Sequence, residues 1–274
     1  RSSSLPRSGP GGDPAPIKPD MDEKLFQAAR RARIAVSIYF GVFGALIGTW
    51  APQIPLAKER LQADAALFGL SLLCMGGGAV ISMPMVGWLI NRFGSAIVTL
   101  VTATSSVLLL YPPFVAGDLQ SFALSLFFLG AMLGSLDVAM NAHGLAVEHA
   151  LHKPVMSSFH GLYGVAALCA GALAALLMTR VHEPHRALVT VVACLALIAV
   201  AQRLMLPAEV DKGQSSNSFA LPTRHTIGLG LLCFLVLMIE LSVIDWAGIY
   251  LREARGASPV VTSLAFAAFA GCLA

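Results

Sequence analysis

Asp137 and Asn141 stand one helical turn apart inside a stretch of apolar residues that begins near Phe122. At that spacing both side chains share one helix face. Gly130, Gly134, Gly144 and Glu148 fall on the same stripe, so one side of this helix is small and polar and the rest is apolar. An aspartate near a bilayer centre costs about 2.5–3.5 kcal/mol to insert. A group carried at that cost faces protein or water rather than lipid. The chemistry it offers is binding and release of a proton as water reaches or leaves the carboxyl. Asn141 beside it offers an amide donor and acceptor to a polar solute. A purely structural hydrogen bond between helices is the competing reading.

Other polar residues lie in apolar surroundings. Glu240 and Asp245 join Asp137 as candidates for proton coupling; five residues apart, they point roughly 140° away from each other on a helix. His160 and Tyr163, three apart, share a face at the start of another apolar run. With Asn141, Gln53 and Trp246 they are the candidate lining of a substrate cavity, although Trp246 and Tyr250 also suit an interfacial aromatic belt. Glu148 belongs to a helix end, where a loop contact or a gate salt bridge is expected. His143, two residues past Asn141, points to another side and is not selected. Cys74, Cys169, Cys194, Cys233 and Cys272 all lie in apolar runs without a Cys-x-x-Cys pair, so neither a disulfide framework nor a metal site is indicated. A His-Glu-x-x-His zinc motif, a Gly-x-Ser-Gly nucleophile turn and a lysine in the apolar run 227–250 are absent. No catalytic residue, metal or cofactor is therefore expected, and the reading is not an enzyme.

The elements that must position these residues follow from composition. The 274 residues are 57% hydrophobic and 12% charged, with a mean hydropathy of +0.76. A soluble domain carries about 25% charge; this chain belongs in a lipid bilayer. Its formal net charge of +3 is too small to indicate nucleic acid. Apolar runs long enough to span, at about 20 residues each, are expected at 34–51, 67–90, 96–115, 119–147, 155–178, 187–206 and 227–250, and an eighth begins after Pro259. The chain divides into a Ser-, Pro- and Gly-rich disordered leader (1–20), a six-span half (21–206), a polar linker (207–224) and the start of a second half (225–274). Gly41, Gly44, Ala45 and Gly48 form a small-residue stripe suited to close helix contact, and Pro52 and Pro55 should end the first span.

Between the second and third runs the chain reads Gly87-Trp88-Leu89-Ile90-Asn91-Arg92-Phe93-Gly94-Ser95, a tight hairpin between helices. Here the sequence resembles the major facilitator superfamily, whose loop at this place carries Gly-x-x-x-Asp-Arg-x-Gly. Gly87, Asn91, Arg92 and Gly94 occupy the pattern; Asn91 replaces its aspartate, and Ser95 stands where a basic residue is usual. The run Leu136-Asp137-Val138-Ala139-Met140-Asn141 resembles the fourth span of fucose-permease-like sugar–proton symporters, where the acidic residue is linked to proton coupling. Ser157-Ser158-Phe159-His160-Gly161-Leu162-Tyr163 and Asp245-Trp246 with Tyr250-Leu251 are similar to the branch that includes the bacterial inner-membrane protein YbjJ.

The resemblance implies an all-α polytopic membrane protein of the major facilitator fold: six spans, a cytoplasmic linker and the first one to two spans of a second, truncated half, with about four further helices outside it. It implies a secondary active, proton-coupled transporter of a sugar or similar polar solute, in the bacterial inner (plasma) membrane. Alternatives are a proton-driven efflux antiporter of amphipathic compounds and a non-transporting receptor or fragment. Basic residues set the expected orientation. With Arg1, Arg7 and Lys18 set aside, nine lie on the side of the N-terminus and six on the other, which places the N-terminus and linker in the cytoplasm. Reporter fusions within the linker and after Arg252 are expected to report cytoplasm and exterior respectively; the reverse pattern would invert the topology.

Overall fold

The computed structural model describes residues 19–207 and 224–274. The leader and most of the linker expected from sequence lie outside the described residues. The described chain is a bundle of helices: α1 (Pro19–Trp50), a 3-10 turn (Ala51–Gln53), α2 (Ile54–Leu61), α3 (Ala65–Phe93), α4 (Ser95–Leu109), α5 (Pro112–Val115), α6 (Leu119–Leu151), α7 (Met156–Leu177), α8 (Glu183–Ala201), α9 (Arg224–Arg255) and α10 (Pro259–Leu273). Seven helical stretches, each counting short continuations, are long and apolar enough to cross a bilayer; α10 is shorter. In lipid every backbone N–H and C=O must bond internally, and a continuous helix meets that demand within one segment.

Several boundaries differ from the sequence expectation. The α-helix of the first span ends at Trp50, just before Pro52 and Pro55, but these prolines do not end helical structure. Each sits in the first turn of a helical segment, where its missing N–H costs nothing, so the chain continues helically to Leu61 and stops at Gln62, which has a positive φ of 51°. Pro84 lies inside α3 without ending it. The third span does break, at Leu109, before Pro112 and Pro113 open α5. Asp118 caps α6: its carboxylate accepts from the Ser121 N–H at 2.8 Å, which holds that exposed carboxyl below its usual range.

Packing is dominated by the pairs α3–α6 and α1–α7, with α7–α10 and α4–α6 next. Glycine explains the first two. The face of Gly78 lies against the Phe127 carbonyl and that of Gly130 against the Met75 carbonyl, while Gly134 meets Ala79. On α1, Gly44 lies on the Tyr163 carbonyl and Gly48 on the backbone of Ala167. Any Cβ at these places would collide with backbone, so the helices approach this closely only because the residues are glycine. Gly41, in the same expected stripe, faces open space. Large buried side chains fill the remaining gaps, among them Tyr39, Phe40, Phe68, Phe122 and Phe159. Phe68 stacks on Phe122 with ring centroids 5.6 Å apart. Helix α9 is different: residues 226–242 are exposed apart from half-buried Glu240.

The alternating direction of the spans gives the bundle two ends. One holds Arg92, His152 and Leu206 and is called the Arg92 end; the other holds α2 and the tops of α8 and α9 and is called the Lys58 end. The glycine contacts predict opposite outcomes for two substitutions. Gly130→Ala should destabilise the detergent-solubilised protein by about 1–3 kcal/mol through overpacking. Gly77→Ala, with nothing near its would-be Cβ, should be neutral or slightly stabilising. Thermal unfolding followed by far-UV circular dichroism checks both.

Candidate functional site

Helices α6, α7 and α9 bring the sequence-selected polar residues toward one another. Asp137 and Asn141 are half-buried on α6. Asn141 Nδ2 donates to Asp137 Oδ1 at 3.0 Å and to the Asp137 carbonyl at 2.9 Å, as their one-turn spacing requires. His160 of α7 is within electrostatic range of Asp137. Its Nδ1 lies 3.1 Å from the Met156 carbonyl, a bond within its own helix that fixes the ring while the side chain stays exposed. Phe40 meets the His160 ring edge-on at 5.0 Å, and Phe43 packs on Tyr163 at 5.7 Å. Tyr163 stands within electrostatic range of both Asp137 and Glu240. Asp137 and Asn141 are bonded to each other on α6, and electrostatic range rather than direct contact links this pair to His160 and Tyr163 of α7, and Tyr163 to Glu240 of α9. Beside them Tyr163, Ile244, Phe266, Phe269 and Leu273 line a small apolar pocket where α7, α9 and α10 meet.

Three selected residues lie elsewhere. Gln53 is buried at the Lys58 end, where its Oε1 accepts from Arg186 Nη2 at 2.9 Å. Trp246 lays its ring against Gly69 of α3, a contact between helices rather than a wall of the cluster. Asp245, half-buried on the next turn of α9, has no hydrogen-bond partner among the described residues. A second apolar pocket near it is lined by Pro52, Pro55, Ile244, Ala247, Phe266 and Phe269, among others.

The loop between α3 and α4 forms the tight hairpin expected. Gly94 has φ 84°, a region open to glycine and strained for other residues, and its N–H closes on the Ile90 carbonyl at 2.7 Å. The Arg92 guanidinium lies 5.5 Å from the ring centroids of both Trp88 and Phe93, so its charge rests on aromatic faces. Gly87 is exposed and Asn91 half-buried.

Other polar contacts have no counterpart in the sequence reading. At the Lys58 end the consecutive residues Lys58 and Glu59 of α2 meet Glu253 and Arg252 of α9. Lys58 pairs with Glu253; Arg252 Nε and Nη2 grip the two Glu59 oxygens at 2.7 and 2.9 Å. Arg60 pairs with Glu183 of α8 and donates to the Pro113 carbonyl at 2.8 Å. Two adjacent opposite charges on each of two helix ends were the available signal, but nothing local says that they face each other. At the Arg92 end Glu148 makes the loop contact that the sequence allowed: its Oε2 accepts the N–H groups of Val155 and Met156 at 2.6 and 2.9 Å, capping α7, and among the described residues it forms no salt bridge. His143, set aside on sequence, is 2% exposed. Its Nε2 accepts from the Leu206 N–H at 3.3 Å and its Nδ1 lies 2.6 Å from Ser95 Oγ, joining α6 to the start of α4 and the end of the α8 segment. Among the described residues no three His, Cys, Asp or Glu side chains gather as metal ligands.

Comparison with known proteins agrees with this architecture. No family model matches the chain. It is 31% identical over 255 residues to an uncharacterised MFS-type transporter of Yersinia pestis, covering 91% of this chain and 66% of that protein. It is 29% identical over 242 residues to the uncharacterised transporter y4wD of Sinorhizobium fredii, covering 87% and 64%. It is 27% identical over 239 residues to the membrane protein MosC of Rhizobium meliloti, covering 86% and 58%. The chain therefore spans 58–66% of the length of these relatives, less than two thirds. Among solved structures, the nucleoside transporter NupG superposes with a TM-score of 0.67 at 12% identity, covering 87% of this chain and 63% of that one; this likeness concerns the fold. Six spans with a signature hairpin after the second, a seventh and eighth helix packed on them, and transporter relatives along nearly the whole sequence lead to one conclusion: the chain belongs to the major facilitator superfamily.

Proposed function

We propose that the chain provides the first half, and the beginning of the second, of a secondary active transporter that moves a small polar solute with protons. The observation that carries this reading is the bonded Asp137–Asn141 pair with His160, Tyr163 and Glu240 linked to it through electrostatic range across α6, α7 and α9. Superfamily-type sites lie between two repeats near the midplane. Asp137 and Glu240 stand on opposite sides of such a boundary, so motion of α9 relative to α6 changes the water and charge around both. In this reading Asp137 carries the transported proton, with Glu240 second and Asp245 third. Asn141, His160 and Tyr163 supply directed hydrogen bonds to the solute. Its class is sugar-like, as the fucose-permease-like pattern around Asp137 implies; the fold neighbour's nucleoside is itself a sugar-bearing polar solute. The proposed setting is a bacterial inner membrane with the N-terminus and the linker 207–224 in the cytoplasm, and further helices of the second half complete the cavity wall.

A specific observation favours a second reading. The pocket beside Tyr163 is lined mainly by apolar groups, including Ile244, Phe266 and Phe269, and an apolar wall suits an amphipathic compound exported against protons. Metabolite and drug panels on a full-length transporter carrying this sequence separate the two.

In the proposed orientation the Lys58 end is exterior, and the Lys58–Glu253 and Glu59–Arg252 pairs hold it shut. Exposed ion pairs are worth about 0.2–1 kcal/mol each, enough to bias two states without locking one. Arg252→Glu should raise the labelling rate of a cysteine placed at Ala247 by an impermeant maleimide about two- to five-fold. Adding Glu59→Arg should bring the rate back, and failure of the swap to restore it removes the latch. For coupling, Asp137→Asn keeps shape and the Asn141 contact while removing titration. In a full-length transporter it should abolish gradient-driven accumulation and leave substrate exchange within about two-fold, an expectation set by the small cost of exchanging one polar partner for another. Normal accumulation by the variant would return Asp137 to a structural role.

A further inference from the structure

Helices α1 and α8 meet along two polar rungs one turn apart. Thr49 Oγ1 lies 2.9 Å from Thr190 Oγ1, and four residues on, Gln53 Oε1 accepts from Arg186 Nη2 at 2.9 Å. Both members of the second rung are buried, Gln53 at 2% and Arg186 at 5% exposure. The Arg186 Nη1 donates to the Val181 carbonyl at 2.8 Å and the Met178 carbonyl at 3.3 Å. That leaves two buried donors, Arg186 Nε and Gln53 Nε2, without an acceptor.

Their position explains what they lack. Nε and Nη2 form the edge of a guanidinium that a carboxylate grips with two parallel bonds. Here that edge faces an amide. The amide oxygen satisfies Nη2, but the other amide atom is itself a donor and cannot serve Nε. The charge is likewise without a bonded counter-charge: Glu183, one turn earlier on α8, is in electrostatic range, but its carboxylate is taken by Arg60. A buried guanidinium that keeps its charge needs a compensating partner, and buried donors are rarely left unpaired. Both requirements are met by one small acceptor bearing negative charge. An open cleft of about 360 Å3 at the Lys58 end is lined by Arg180, His182, Glu183 and Arg186 itself.

We infer that Arg186 Nε and Gln53 Nε2 hold a small monovalent inorganic anion of the halide class, seated between α1 and α8. The anion completes the guanidinium's coordination and ties the end of the first span to the start of the sixth. It sits apart from the Asp137 cluster, so its presence does not depend on the proposed transport reaction.

The test uses the 274-residue chain purified in detergent, with chloride and gluconate salts compared at equal ionic strength. Chloride should raise the unfolding midpoint saturably by about 2–4 °C, and radiolabelled chloride should bind saturably and be displaced by bromide. Gln53→Leu removes one donor, and Arg186→Lys keeps the charge but loses the Nε–Nη2 edge. Each should weaken chloride binding about ten-fold or more and flatten the chloride-dependent rise in midpoint. If either variant fails to fold, saturable binding and bromide competition in the unmodified chain still decide the matter. Equal midpoints in the two salts with no saturable binding would mean that water fills the gap, and would overturn the inference. Binding that persists unchanged in both variants would place the anion elsewhere and overturn it equally.

Discussion

Close backbone approach at glycine is the constraint on which the rest of this bundle depends. Lipid is as apolar as leucine, so burying a leucine between two helices gains little hydrophobic energy there. Cohesion comes instead from van der Waals contact, which decays steeply with separation. Gly78 and Gly130 bring α3 and α6 within backbone contact, and Gly44 and Gly48 do the same for α1 and α7. These two pairs set the places of α6 and α7, the helices that carry Asp137, Asn141, His160 and Tyr163. The position of the polar cluster is therefore a consequence of where backbone can touch backbone. Gly130 and Gly134 lie on the same helix as Asp137, so one helix carries both the close packing surface and the candidate site residues.

Polar groups divide by depth. Within the bundle some are bonded along one helix, as Asn141 is to Asp137, and others between helices, as Ser82 is to the Ala131 carbonyl at 2.7 Å. At the Lys58 end charges are paired between helices far apart in sequence, including Lys58 with Glu253 and Arg60 with Glu183. At the Arg92 end fixed turns dominate: Gly94 at φ 84° and His152 at φ 52° reverse the chain, and Glu148 caps α7. One end is thus joined by ion pairs whose partners can exchange with water, and the other by local backbone geometry. Helix α9 reflects the same asymmetry, since it is anchored through Arg252 and Glu253 while residues 226–242 remain largely exposed.

Family membership and local chemistry rest on different foundations. Identity of 31% along most of the chain, and a TM-score of 0.67 to a solved transporter, concern the whole architecture. In the proposed reading the solute and the coupling ion depend instead on a handful of side chains, among them Asn141, His160, Tyr163 and Glu240. A fold of this type accepts many solutes because such residues change without disturbing the glycine contacts. The Lys58-end pairs and the rungs between the end of the first span and α8 likewise depend on individual side chains rather than on the fold itself.

The sequence by itself determined the membrane class, the succession of apolar spans, the Gly94 hairpin and the Asp137–Asn141 pair. Each is written in local composition or in one-turn spacing, and the bilayer's demand for internally bonded backbone leaves helix as the outcome. It could not determine that helical structure resumes at Pro52 and Pro55 after the first span ends, because proline serves equally to end a helix and to begin one. It could not place Gln53, which reads as a polar cavity residue but lies on Arg186, or Trp246, which lies on Gly69. Nor could it find the partner of Lys58, 195 residues away, or the buried role of His143 between Ser95 and Leu206. Those pairings carry no periodic signal in the chain. They were decided by tertiary structure, because helix packing sets which distant side chains meet, and a buried polar atom must then bond to whatever that packing brings within reach.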